Sequence, residues 1–213
     1  MKIRLSNAGK RFNREWIFRK ADLEFTASSY AITGPNGSGK STLLQCIGGM
    51  LQLSEGNMVL EKNGMSTTEN IHSHISFCAP YLDLVEELTL TEFLNFHRQF
   101  KKFLPGASAI QLIEEIGLQP AAAKQIRYFS SGMKQRVKLA QAIYFDADIV
   151  LLDEPCSNLD TKGIDLYHAL IEKYCSDRTV IVCSNDKVEY DFCREVISIM
   201  NYKYENSNRI GVQ

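Results

Sequence analysis

The sequence predicts an α/β fold: a largely parallel sheet covered on both faces, entered through a strand-rich N-terminal section and interrupted by a block of helices. Three observations carry this. Short strand-like runs dominate from Lys2 to Gly64. The texture then becomes helical from Thr89 to Phe145. Beyond that, the continuously apolar strands Ile149–Asp153 and Val180–Ser184 flank a helix over about Gly163–Cys175, the pattern of a sheet buried on both faces. The 213 residues are 45% hydrophobic and 23% charged with a formal net charge of −1. That balance is globular rather than disordered, and a chain of this size can bury a core without disulfide or metal staples. The longest clean apolar run, Ile149–Leu152, is far short of the about 20 residues of a membrane span. No apolar segment follows Met1–Asn7, so no signal peptide is expected. Near-neutral charge gives no electrostatic footprint for nucleic acid.

Taken in order, strands are expected at Lys2–Ala8, Asp22–Phe25, Ser29–Gly34 and Asn57–Lys62, the last closed by the turn-forming Asn63-Gly64. A helix over about Lys40–Leu51 interrupts them, and a strand at His74–Ala79 follows. In the helical block, Thr89 and Glu92 form a capping box ahead of Leu90, Phe93, Leu94 and Phe100. Ser108 with Gln111 repeats the pattern before Ile110, Ile113 and Ile116, and Gly117 ends that helix. A third helix starts near Ser130 and turns Val137, Ala140, Ile143 and Tyr144 inward. After Val180–Ser184, Asp186–Arg194 reads as helix, and Glu195–Met200 and Arg209–Val212 as strands. Six cysteines form no CxxC pair and read as buried thiols of a reduced compartment. Histidines 72 and 74 would share one face of a strand, but lack the partners of a metal site. A cytoplasmic protein is expected.

Gly34-Pro35-Asn36-Gly37-Ser38-Gly39-Lys40-Ser41-Thr42 matches the nucleotide phosphate-loop pattern between a predicted strand and a predicted helix. Its glycines permit backbone angles and close approach that side chains block. Exposed amides and a positive helix end then surround the phosphates. Lys40 supplies a point charge for the β and γ phosphates, and Ser41 offers its hydroxyl to magnesium. A plain glycine turn would explain neither residue. The complementary acid stands at the end of Ile149–Asp153, where Asp153 is expected to hold magnesium. Glu154, one residue on, is placed to polarise an attacking water; a strand-end charge pair is its plainer reading.

One further segment points to a family. Phe129-Ser130-Ser131-Gly132-Met133 resembles the signature motif of ATP-binding cassette proteins, Leu-Ser-Gly-Gly-Gln, departing from it at Phe129, Ser131 and Met133. Ser130 and Gly132 are kept, and the resemblance implies that they contact the γ-phosphate held by an opposite subunit. Ser157-Asn158-Leu159-Asp160 resembles the family's D-loop, in which Ser157 and Asp160 would couple the two sites of a dimer. Phe12 aligns with the aromatic residue that stacks on adenine, with Trp16 as rival. The resemblance runs from about Ile3 to about Met200. It implies a P-loop NTPase core of RecA-like type, with an N-terminal antiparallel β subdomain and an inserted helical subdomain over about residues 80–145. Residues 1–213 would form one nucleotide-binding domain.

Two departures bear on chemistry. The family's Q-loop glutamine is replaced by Pro80, which has no side-chain amide. Its switch histidine is replaced by Asn185, which can donate a hydrogen bond but carries no proton or charge. The resemblance implies an ATPase using ATP and Mg²⁺ that pairs with a second cassette, identical or different. Separate transmembrane subunits would hold it at the cytoplasmic face of the membrane. The Tyr81–Leu88 segment would lie in the groove that receives them. A nucleotide-gated binding module with slow or absent hydrolysis is the alternative. A soluble translation or DNA-repair relative fits less well, because those carry fused cassettes or long insertions. A partial likeness to short cassettes of haem-exporter type does not identify a substrate.

Overall fold

The computed structural model describes residues 1–62, 64–67 and 71–203. A four-stranded antiparallel sheet is built from β1 (Lys2–Phe12), β2 (Glu15–Phe25), β4 (Glu55–Lys62) and β5 (Met65–Thr67), in the order β2-β1-β4-β5. The second sheet has five parallel strands: β3 (Ser29–Thr33), β6 (Ile75–Cys78), β7 (Ile149–Asp153), β8 (Thr179–Cys183) and β9 (Glu195–Ser198). Their order is β6-β7-β8-β3-β9. Helix α1 (Lys40–Ile47) follows β3, and α2 (Ile71–His74) is a single turn before β6. Between β6 and β7 lie α3 (Leu90–His97), α4 (Ala109–Glu115) and α5 (Ser131–Ile143), and α6 (Thr161–Tyr174) connects β7 to β8.

The strands of the parallel sheet divide their side chains between two cores, as the period-2 geometry of a strand requires. Ile149 and Leu151 of β7, with Ile181 and Cys183 of β8, pack with Phe18, Phe25, Leu43, Leu44 and Ile47. Val150, Leu152, Val180 and Val182 face the other way, onto Leu94, Ile113, Val137, Ile143, Tyr144 and Tyr167. One core therefore joins the two sheets and α1. The other seats the inserted helices.

Local signals set the helix starts. Thr89 N–H donates to Glu92 Oε2 at 2.8 Å while Glu92 N–H donates to Thr89 Oγ1 at 3.3 Å, closing the expected capping box. Ser108 caps α4 with its side chain, Oγ accepting Gln111 N–H at 3.3 Å and donating to Gln111 Oε1 at 3.0 Å. Several expectations need correction. Phe100 and Ile110 are 74% and 78% exposed, because α3 stops at His97 and Ile110 lies in the solvent-facing first turn of α4. Helix α1 ends at Ile47 rather than Leu51, where Gly48 and the left-handed Gly49 (φ +71°) return N–H groups to Leu44 O and Cys46 O. Strand β2 reaches back to Glu15, and β1 runs on to Phe12. Bulges between Leu5, Ala8 and Lys10, with left-handed Asn7 and Lys20, break the alternation by which their length would be read.

Asp186–Arg194 contains only a single 3₁₀ turn, Lys187–Glu189. The Glu189 carbonyl there accepts from Tyr167 Oη at 2.8 Å, and its side chain turns inward to accept Cys156 N–H at 2.7 Å. His72 and His74 belong to α2, not to a strand; His74 Nδ1 meets Asp148 Oδ2 at 2.7 Å. Asn63 and Arg209–Val212 lie outside the described residues. The cysteines are free, four of them buried, and among the described residues no His, Cys, Asp or Glu cluster could hold a metal ion by itself.

Candidate nucleotide site

Because the five strands are parallel, their C-terminal ends share one rim, the ordinary place for a ligand in an open α/β sheet. At that rim β3 delivers the Gly34–Gly39 loop, β7 delivers Asp153 and Glu154, β8 delivers Asn185, and β6 delivers Pro80 and Tyr81. Registers Ile32↔Cys183 and Asp153↔Cys183 bring the first three level with one another.

The loop wraps a cavity of about 220 Å³ that Asn36, Ser38, Lys40, Ser41 and Glu154 help to line. Gly39 has φ +102°, and a Cβ there would stand 2.3 Å from Ile17 Cγ2, so only glycine closes this turn. Lys40 is 5% exposed, and its ammonium bonds Gly34 O at 2.7 Å and Pro35 O at 3.3 Å. The lysine thus holds its own loop in a ring, with a positive charge at its centre.

Asp153 ends the wholly buried β7. Both its carboxylate oxygens are buried, and among the described residues no group closes a hydrogen bond of normal geometry on either. Burial pushes this carboxyl above the usual range. The Ser41 and Tyr81 hydroxyls oppose that, the neighbouring Glu154 adds to it, and Lys40 opposes it. Two buried carboxylate oxygens with a serine hydroxyl beside them form an all-oxygen donor set for a hard divalent cation. The residues fit Mg²⁺. Glu154 is exposed and left-handed, with φ +44°, a conformation that costs about 1–2 kcal/mol in a non-glycine residue. Its N–H is held by Cys183 O at 2.9 Å, and its side chain lines the loop cavity.

The signature residues are elsewhere. Ser130 is the N-cap of α5, its Oγ accepting Met133 N–H at 3.2 Å. A Cβ on Gly132 would come within 3.0 Å of Asn158 O. Ser130, Gly132, Asn158 and Asp160 open onto a separate cavity of about 560 Å³ that includes none of the loop residues.

Comparison with known proteins accords with this geometry. Residues 21–157 match the ABC transporter family. The chain belongs to that family.

The ABC transporter ATP-binding protein YybJ of Bacillus subtilis (strain 168) is 28% identical over 217 residues, 98% of this chain and 97% of the relative. The cytochrome c biogenesis ATP-binding export protein CcmA of Rhizobium meliloti (strain 1021) is 30% identical over 188 residues, 86% and 90% of the two chains. Among solved structures, the dimeric post-hydrolysis state of the ATP-binding cassette MJ0796, bound to ADP and Pi, superimposes with a TM-score of 0.81. It is 25% identical, with 95% and 96% of the two chains covered. This chain is an ABC ATP-binding cassette, hence an ATPase.

Within the cassette, Asn185 joins the phosphate loop. Its Oδ1 accepts Gly34 N–H at 3.2 Å, and its Nδ2 donates to Asn36 Oδ1 at 3.0 Å. Phe12 is 46% exposed, with the Lys10 ammonium 5.0 Å from its ring centre. Trp16 is less exposed, and its ring is already met by Arg19 at 4.4 Å and Arg11 at 5.5 Å. Asp160 caps α6 through Gly163 N–H at 2.8 Å and pairs with Arg136 at 3.2 Å, while Ser157 is half-buried. Of the Tyr81–Leu88 segment, Tyr81 and Val85 are exposed, whereas Leu84 packs into the cassette's own core.

Sequence reasoning missed three supports. Gln135 is 2% exposed and donates to Pro155 O at 2.7 Å, tying α5 to the turn after Glu154. Glu189 is 5% exposed and holds that same turn through Cys156 N–H; burial raises its carboxyl pKa. Tyr81 turns its hydroxyl toward Gln45 and Asp153, and burial of the phenol raises its pKa. No spacing rule announces the first two. The third stands beside the proline already marked as a departure.

Proposed function

We propose that this cassette binds ATP with Mg²⁺ at the phosphate loop and hydrolyses it within a head-to-tail pair of cassettes. Closure of that pair would drive separate transmembrane subunits at the cytoplasmic face of the membrane. The observation that carries the reading is the separation of the two cavities. Ser130 and Gly132 present a hydroxyl and amides at a helix N-terminus, suited to an anion, yet they open on a cavity apart from the loop that would hold phosphate. Each chain then offers two half-sites, which a second cassette would complete. The dimeric state of the similar MJ0796 cassette supports this.

In this reading the adenine stacks on Phe12, and the phosphates lie among the amides of residues Gly34, Pro35, Asn36, Gly37, Ser38, Gly39, Lys40, Ser41 and Thr42. Lys40 exchanges the Gly34 and Pro35 carbonyls for β and γ oxygens. Ser41 and Asp153 hold the ion, which, when bound, offsets phosphate charge. Glu154 takes a proton from the water that attacks the γ-phosphorus as the bond to the β–γ bridging oxygen breaks. Ser157 and Asp160 sit where a facing cassette would report on that step. Turnover is slow in this reading, because Asn185 brings a neutral amide already engaged with the loop and Pro80 brings none.

The test is assembly. Glu154→Gln protein with ATP is expected to elute as a dimer in size-exclusion chromatography, and adding Ser130→Arg to return it to monomer. A Glu154→Gln protein that stays monomeric at high concentration with ATP would rule out homodimer closure and favour a different partner cassette.

A further inference from the structure

The proposed nucleotide site lacks one polar group. In the family pattern, the chain leaving β6 offers a glutamine amide to the ion and the attacking water; Pro80 offers nothing there. We propose that Tyr81 is a positioning residue of this cassette whose hydroxyl, placed against Asp153, does the work of the absent amide. The inference rests on the nucleotide reading above and assigns a residue to it.

The backbone argument begins with register. Cys78 pairs with Leu152, so the chain leaving β6 passes beside Asp153 at the rim. It is fixed there from two directions. Lys138 Nζ of α5 bonds Pro80 O at 2.7 Å, and Leu82 N–H returns to Ala79 O at 3.3 Å. Residue 81 therefore stands on a tight, tethered turn and not on a free loop. The residue as a whole is 47% exposed. Its hydroxyl faces inward, with Asp153 on one side and Gln45 of α1 on the other. An apolar body with one polar tip suits this half-buried place.

The chemistry also suits. A phenol reaches further from the backbone than a glutamine amide, so a residue one place later in the chain can bring a polar atom to the same rim. Its oxygen accepts and its O–H donates, sufficient to orient a water between the Asp153 carboxylate and a phosphate. Neither buried Asp153 oxygen closes a hydrogen bond of normal geometry among the described residues, so each keeps acceptor lone pairs to offer such a water or an ion.

The experiment compares wild type, Tyr81→Phe and Lys40→Ala as full chains, titrated calorimetrically with ATP in magnesium and again in EDTA. Phenylalanine keeps the ring and removes only the hydroxyl. Tyr81→Phe is expected to leave metal-free ATP affinity within twofold of wild type while weakening Mg-ATP binding about fivefold, the size of one lost hydrogen bond. Its single-turnover hydrolysis is expected to fall at least tenfold. An unchanged magnesium response in Tyr81→Phe overturns the proposal, as does equal weakening with and without metal, which would mark a packing role. If Lys40→Ala still binds ATP as wild type does, the phosphate-loop reading has failed and the proposal fails with it. If Lys40→Ala loses binding but Tyr81→Phe matches wild type, the assignment of Tyr81 alone is wrong.

Discussion

Asn185 uses both ends of its amide on the phosphate loop, accepting from Gly34 N–H and donating to Asn36. A γ-phosphate would have to compete for the same group, and once won it would offer no charge. Losing one charge-assisted contact in a preorganised site costs about 2.7–4 kcal/mol, roughly 10²–10³ in rate. Asn185→His is therefore expected to raise single-turnover hydrolysis at least severalfold, with ATP affinity within about twofold of wild type. Fast wild-type turnover that survives Asn185→Ala would show that other residues complete the site. Arg178 illustrates a side chain that no motif announces. It is 8% exposed, and its fork donates to the carbonyls of Ile143, Phe145 and Ala147 at 2.6, 3.1 and 2.7 Å, closing the C-terminal end of α5. Arg178→Met would leave three buried acceptors without donors, at about 1 kcal/mol or more each. A denaturant midpoint shift worth about 3 kcal/mol, at unchanged slope, is expected; a shift below 1 kcal/mol would mean that water reaches those carbonyls.

Between elements, one carboxylate helps to join the inserted helices to the core. Glu115, in the last turn of α4, accepts from Tyr144 at the end of α5 and from Tyr174 and Lys173 of α6, the latter two at 2.7 and 2.6 Å. Burial pushes its pKa up, but bonds from Lys173, Tyr144 and Tyr174 outweigh this and hold it below the usual 4.5. Its contribution is then fully present above about pH 4.5 and is lost as pH falls through the lowered folded value. Glu115→Gln is expected to remove about 1 kcal/mol at pH 7, the figure reduced for solvent screening of a 28% exposed side chain. The variant should also flatten the acid limb of a stability–pH curve; an unaltered acid limb would place acid sensitivity elsewhere. Elements of this kind were unequally legible. The Thr89 and Ser108 caps are local hydrogen bonds between residues three apart, so sequence reveals them. The length of β2 and the missing helix after Asp186 depend on bulges and on Tyr167 and Glu189, partners remote in the chain.

Across the whole molecule, the parallel sheet was readable because both of its faces are buried, which leaves continuously apolar strands. The glycine-rich loop between β3 and α1 and the carboxylate ending β7 were readable because a glycine–lysine–serine spacing and an apolar run closed by an acid are both local patterns. What could not be read was that Ser130 and Gly132 open onto a cavity apart from the loop, since this depends on how α5 lies against the sheet. That helix has a mechanical consequence. Lys138 grips Pro80 O, Lys134 pairs with Glu86, and the Gln125–Arg127 turn just ahead of α5 bonds Glu86, Glu87 and Leu88 through Arg127 N–H, the Gln125 amide and Ile126 N–H. Residues 80–88 and α5 are consequently tied as one lever would be, at several points along its length. Force applied to the exposed Tyr81 and Val85 would enter α5 at Lys134 and Lys138, on the same helix that Ser130 caps. The fulcrum is Gln135, whose amide is bonded to the turn beyond Glu154. A push at the surface and a shift at the serine would then be two ends of the same displacement.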